Sequence, residues 1–338
     1  MKTAIALLTV LAAALLPHRA DAQKKPTRGQ PFNKVPQTIQ APRTETLSFH
    51  NPYTSGTVTS QYTTPGLPRP ACAVVLVAGA TAREQLAAVS LRQYLAEHGY
   101  AVMKLPPPAL SGAREDDSLN TVAALKYLAA RQDLRGVPVG LVGYGEGVRL
   151  AVTSASQGNP AAFLALLGGS VVSDSLNSLP DTLIHGALPK NEAEQSLAHV
   201  RCPILVLIGE YDRQGTHRTA SANAQALKSI LDSGKHQNYT IKIMVDSDTL
   251  LADTGPAGSS PSSTALPPGS VWKTATEWMN RQVSAADPTA AADNKEIVQT
   301  KPIKLYPKSV YGQFNYRPSM IWQPAIGGQT RPFGFWYW

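Results

Sequence analysis

A chain of 338 residues with 43% hydrophobic and only 16% charged residues is long enough to bury a large core and too apolar for an intrinsically disordered chain. The net charge of +8 is scattered, and no nucleic-acid module accompanies it, so nucleic acid is not an expected partner. The only cysteines are Cys72 and Cys202. They exclude a disulfide framework and a cysteine-rich metal centre, and neither metal nor cofactor is expected.

Residues 1–22 read as a secretory signal peptide. Lys2 supplies the positive start, Ala4–Leu16 the apolar run, and Ala20-Asp21-Ala22 the small residues of a cleavage site. The run is too short to span a bilayer, so the chain is not expected to be a transmembrane protein. Cleavage near Ala22 would start the mature chain near Gln23 in the periplasm or outside the cell. Residues 23–43, rich in Pro, Lys and Gln, read as a flexible leader.

A domain over residues 44–283 follows. Glu45–Phe49 and Gly56–Tyr62 alternate β-branched or aromatic residues with polar ones around Asn51-Pro52-Tyr53, the pattern of an antiparallel hairpin. Cys72–Val77 is a short apolar run ending in Ala78-Gly79-Ala80-Thr81, as in a buried parallel strand. Arg83–His98 has apolar residues at helical spacing and is stopped by Gly99. Ala101–Leu105 is the next strand, ended by Pro106-Pro107-Pro108. Ser118 is the expected cap of a helix running to Arg131.

Val139–Val142 leads into the glycine-rich turn Gly143-Tyr144-Gly145-Glu146-Gly147, and a helix runs from there to Ser156. Strands are expected at Ala161–Leu167, Pro203–Ile208 and Tyr239–Val245, with helices at Ser221–Leu231 and Val271–Val283. Strands alternating with helices give an α/β fold with a doubly wound, mostly parallel sheet. With two strands between them in such a sheet, Cys72 and Cys202 are too far apart to bridge and are expected as buried free thiols.

Residues 284–298 read as a linker. Residues 299–338 form an aromatic-rich C-terminal tail, with ten of the chain's 23 aromatics between Tyr306 and Trp338. Its prolines and glycines exclude a long helix, and its aromatics suit packing on the domain, docking to a protein partner or stacking on a saccharide.

Two motifs in this order resemble the secreted dienelactone-hydrolase/esterase-like branch of the α/β-hydrolase family. Gly143-Tyr144-Gly145-Glu146-Gly147 is similar to that branch's nucleophile elbow, G-H-S-E-G. Pro203–Asp212 is similar to its acid motif, P-V/I-L-x-L-x-G-E-x-D. Carried over by position, the resemblance implies a catalytic acid at Asp212. It also implies two losses: Gly145 stands at the nucleophile position and Thr249 at the histidine position. Glycine has no nucleophile, and the threonine hydroxyl is not a base near neutral pH.

The strand-end loop Ala78-Gly79-Ala80-Thr81 departs from the branch's x-G-S-G-P. Backbone amides at Gly79, Ala80 and Glu146 remain candidates for binding an oxyanion or a small acyl or anionic ligand. The Glu146 side chain is read as structural, and the Tyr144 side chain as packed beneath the elbow. Replacement of the triad by His217 with Ser170 or Ser173 is the rival reading; the other histidines, His236 included, are read as surface or helix-end residues. The expectation is an exported protein of this fold that has lost serine-hydrolase activity and acts as a binding or scaffolding module. The alternative is an active esterase or dienelactone-hydrolase-like enzyme working through other residues.

Overall fold

The computed structural model describes residues 40–108, 114–158, 161–172, 192–212, 219–254, 264–284 and 294–299. The expected signal peptide, the leader up to residue 39, His217, Ser173 and the tail from residue 300 lie outside these.

The described residues build one nine-stranded sheet in the order β1-β2-β4-β3-β5-β6-β7-β8-β9. The strands are β1 (Arg43–Asn51), β2 (Gly56–Thr64), β3 (Cys72–Ala78), β4 (Tyr100–Lys104), β5 (Val139–Tyr144), β6 (Leu164–Leu167), β7 (Ile204–Tyr211), β8 (Asn238–Asp248) and β9 (Asn294–Gln299). The hairpin β1–β2 is antiparallel and joins the sheet through β4, and every pairing from β4 to β9 is parallel. This is the doubly wound, mostly parallel α/β architecture that the sequence implies.

Both faces are covered, which is why β3 to β7 are almost wholly apolar rather than alternating. On one face lie α1 (Ala82–Glu97) and, closing the chain's main domain, α6 (Gly269–Ser284). The other face carries α2 (Arg114–Ala130), α3 (Gly147–Ser156), α4 (Glu192–His199) and α5 (Ala220–Ser233). Under α6, Trp278 meets Phe163 edge-on and its indole N–H donates to Thr240 Oγ1 at 3.1 Å. A buried tryptophan with its polar atom satisfied contributes the full apolar area of the ring, about 3 kcal/mol.

Four expectations are corrected. Residues 294–299, read as the end of a linker and the first residue of the tail, form β9, paired in parallel register with Asn238–Ile243 of β8. Arg43, placed in the leader, already pairs with Thr64. Ser118 does not cap α2, which starts at Arg114; it is buried inside the helix, with its hydroxyl 3.3 Å from that of Ser154 on α3. His236, read as a surface or helix-end residue, does follow the end of α5 but is 3% exposed, and its Nε2 lies 2.9 Å from the carbonyl of Cys202.

Cys72 opens β3 and Cys202 lies just before β7, with β5 and β6 between those strands; both are free thiols, Cys72 buried as expected and Cys202 only partly buried. No helix among the described residues is long and apolar enough to cross a membrane.

Candidate functional site

The C-terminal ends of β3, β5, β6, β7 and β8 converge where a doubly wound sheet places its ligands. At the end of β5 the chain turns through Gly145, whose φ of +58° lies in the left-handed region, and enters α3. The turn is pinned by Gly145 N–H donating to Leu167 O and by Val148 N–H donating back to Gly145 O. Gly169, also at positive φ, lies against it, and a Cβ there would overlap the Gly145 carbonyl. A sharp strand–turn–helix of this shape would cost about 1–2 kcal/mol with an ordinary residue at its centre; glycine removes that strain.

The Tyr144 side chain is buried beneath the turn, edge-on to Trp272, with its hydroxyl donating to Leu250 O at 2.6 Å. Burial raises its pKa well above the usual phenol range, so it is no nucleophile.

Asp212 follows β7 directly and is 4% exposed. The hydroxyl of Thr249 donates to its Oδ1 at 2.8 Å. The structure therefore brings together Asp212 and Thr249, the residues that the sequence resemblance implies as the acid and histidine positions. The rest of the acid motif is structural. Glu210 Oε2 accepts the N–H of Asp246, itself at positive φ, and a side chain at Gly209 would overlap the carbonyl of Asp248. A small cavity beside Asp212 is lined by Gly168, Gly169, Ser170 and Asn223. Ser170 turns its hydroxyl to Val172 O rather than to a base.

The expected anion site differs from an open hole. The N–H of Glu146, the first amide past the elbow, donates to Glu84 Oε1 at 2.6 Å. Gly79 N–H is spent on Tyr144 O at 3.1 Å, and Ala80 forms the half-buried bend into α1. The Glu146 side chain itself points to solvent, so the carboxylate that orders this turn is Glu84 rather than Glu146.

Glu84 belongs to the first turn of α1, where it closes a capping box with Thr81. Its Oε2 accepts from Thr81 N–H at 3.0 Å and from Thr81 Oγ1 at 2.5 Å, while Glu84 N–H donates to Thr81 Oγ1 at 3.3 Å. The sequence signal for it was present as Thr81-x-x-Glu84 ahead of an apolar helix, but the reach of Oε1 to a second helix is a tertiary fact.

Around this core, Arg83 pairs with Asp248 at 2.6 Å and its Nε donates to Ala265 O, fastening α1 to the segment after β8. Gln85 Nε2 donates to Gly79 O, and Lys104 Nζ donates to Gln85 Oε1 at 2.7 Å. Burial, then the neighbouring Arg92, lowers the pKa of Lys104. No group of three or more His, Cys, Asp or Glu side chains suited to a metal ion occurs among the described residues.

No family model matches the sequence, and no curated protein matches it. Solved structures do. The esterase domain of a Rhodothermus marinus protein is similar with a TM-score of 0.50 at 15% identity, over 72% of this chain and 100% of that one. A dienelactone hydrolase-like promiscuous phosphotriesterase from metagenomic libraries gives 0.51 at 16% identity, over 72% and 98%. The 2,6-dihydroxy-pseudo-oxynicotine hydrolase gives 0.51 at 14% identity, over 78% of this chain and 73% of that one. The fold is that of the α/β-hydrolases, of the dienelactone-hydrolase-like kind.

Proposed function

We propose that this chain is an exported α/β-hydrolase-fold protein that does not carry out triad hydrolysis and acts as a binding or scaffolding module. The observation that carries the reading is the Glu84 carboxylate seated on the Glu146 amide. In a hydrolase of this fold the amide after the nucleophile stabilises the developing oxyanion. Here a buried carboxylate already occupies it, beside a glycine that offers no nucleophile. Thr249 supports the same reading, because its hydroxyl donates to Asp212 Oδ1 and supplies no base.

The aromatic segment 300–338 is, in this reading, the element that meets a protein partner. Export is supported by the composition of residues 1–22.

The test is turnover of short-chain aryl esters by the purified mature protein. The expected result is no rate above buffer at any pH between about 6 and 9, the range in which a neutral imidazole would serve as base. Turnover that vanishes in Asp212→Asn would contradict the proposal and support an active ester hydrolase working through other residues.

A further inference from the structure

Glu84 does more than cap its own helix. Oε2 makes the local closure with Thr81, whereas Oε1 leaves α1 and takes the first amide of the α3 turn, 62 residues further along the chain. Two helix N-termini, those of α1 and α3, thus converge on a single carboxylate that is 2% exposed. Each presents backbone N–H groups and the positive end of its dipole, which offsets the desolvation of the charge.

The cradle is completed by two glycines from different strands. A Cβ at Gly79, after β3, or at Gly145, after β5, would overlap the Glu84 carboxylate oxygens. Backbone clearance on two sides, three donors and near-complete burial are the features of a built anion site.

We propose that this is a monocarboxylate-binding site at the oxyanion position of the fold and that Glu84 is its resident ligand. It rests on the reading above only in that no substrate oxyanion competes for the same amide. Removing the Glu84 side chain beyond Cβ opens a space bounded by Gly79, Gly145, Thr81 and the Glu146 amide. In Glu84→Ala, the methyl and carboxylate of acetate match the lost Cγ and carboxyl group in size and charge. The site then takes acetate or formate from solution.

The experiment is thermal unfolding of wild type and of Glu84→Ala against acetate, at constant ionic strength, with chloride and neutral acetamide as controls. Acetate at about ten times its dissociation constant should raise the Tm of Glu84→Ala by a few degrees, saturably. Chloride, acetamide and wild type should show no such shift. A variant that folds but ignores acetate, or a wild type that responds equally, would overturn the proposal.

If Glu84→Ala does not fold, hydrogen exchange of the Glu146 amide in wild type decides. Strong protection, as a 2.6 Å bond to a buried carboxylate requires, supports the site. Exchange at the rate of a free amide overturns it. Neither readout depends on ester turnover: ester turnover alongside acetate rescue would overturn only the proposed loss of hydrolysis, whereas free exchange of the Glu146 amide would remove the bond on which both readings draw.

Discussion

Any side chain at position 145 requires the Glu84 carboxylate to move, because a Cβ there would overlap its end. The central residue sits at φ +58°, and its would-be Cβ overlaps Glu84 Oε1. Gly145→Ser therefore meets two costs: about 1–2 kcal/mol for an L-residue in the left-handed region, and about 1–3 kcal/mol for the overlap. Chemical denaturation should show Gly145→Ser destabilised by about 2–4 kcal/mol. In a Glu84→Ala background only the backbone part should remain, giving a coupling of about 1–3 kcal/mol in the double-mutant cycle. Additivity within about 0.5 kcal/mol would mean that the two positions are independent. A serine at position 145 thus requires the Glu84 carboxylate to move. From sequence, the turn at Gly145 and the strand leading to Asp212 are legible because each stands in a recognisable spacing. The role of Glu84 is not, since its partner lies 62 residues away and is a backbone amide with no sequence signature.

At the scale of elements, most strands are legible because they are buried on both faces and read as short apolar runs between turn residues. Cys72–Ala78 and Ile204–Tyr211 are the clearest cases. Asn294–Gln299 is different. The stretch Asn294-Lys295-Glu296-Ile297-Val298-Gln299 is mostly polar, and among the described residues it is the outermost strand, with β8 as its one neighbour. Edge strands carry charge for this reason, and the same charge makes them read as linker. Ser118 misleads in the opposite way: a good capping residue was taken up by the α2–α3 contact with Ser154. Two truncations test the boundary. A chain ending at Gln299 keeps β9 and should unfold within a few degrees of the full-length Tm if the aromatic segment serves a partner. A chain ending at Ser284 loses β9, bares the β8 edge, and should be less stable and more prone to aggregate. Equal behaviour of the two would show that β9 adds nothing to the sheet, and collapse of both would mean that residues 300–338 pack on their own domain.

For the molecule as a whole, the sheet buries ionisable groups whose charged forms it cannot solvate. Burial pushes the thiols of Cys72 and Cys202 from 9.0 up to about 12. Burial also pushes the Tyr62 phenol from 10.0 up to about 12, against the opposing pull of Arg131 stacked over its ring. Because the folded values are raised, the stability these groups contribute is complete below about pH 9 and is lost as pH rises towards about 12. Between pH 7.5 and about 10.5 the loss from Cys72 alone is on the order of 2 kcal/mol. Urea midpoints should fall steadily over that window, with both thiols unreactive to a disulfide reagent until the chain unfolds; a flat profile would contradict the burial of these groups.

The same scale holds the central claim, that an α/β-hydrolase fold persists here with its oxyanion position filled from within. The most direct measurement is incubation of the mature protein with a serine-reactive fluorophosphonate, read by intact mass. The account predicts an unchanged mass at every probe concentration that saturates an active serine hydrolase. Stoichiometric addition to any serine would contradict it.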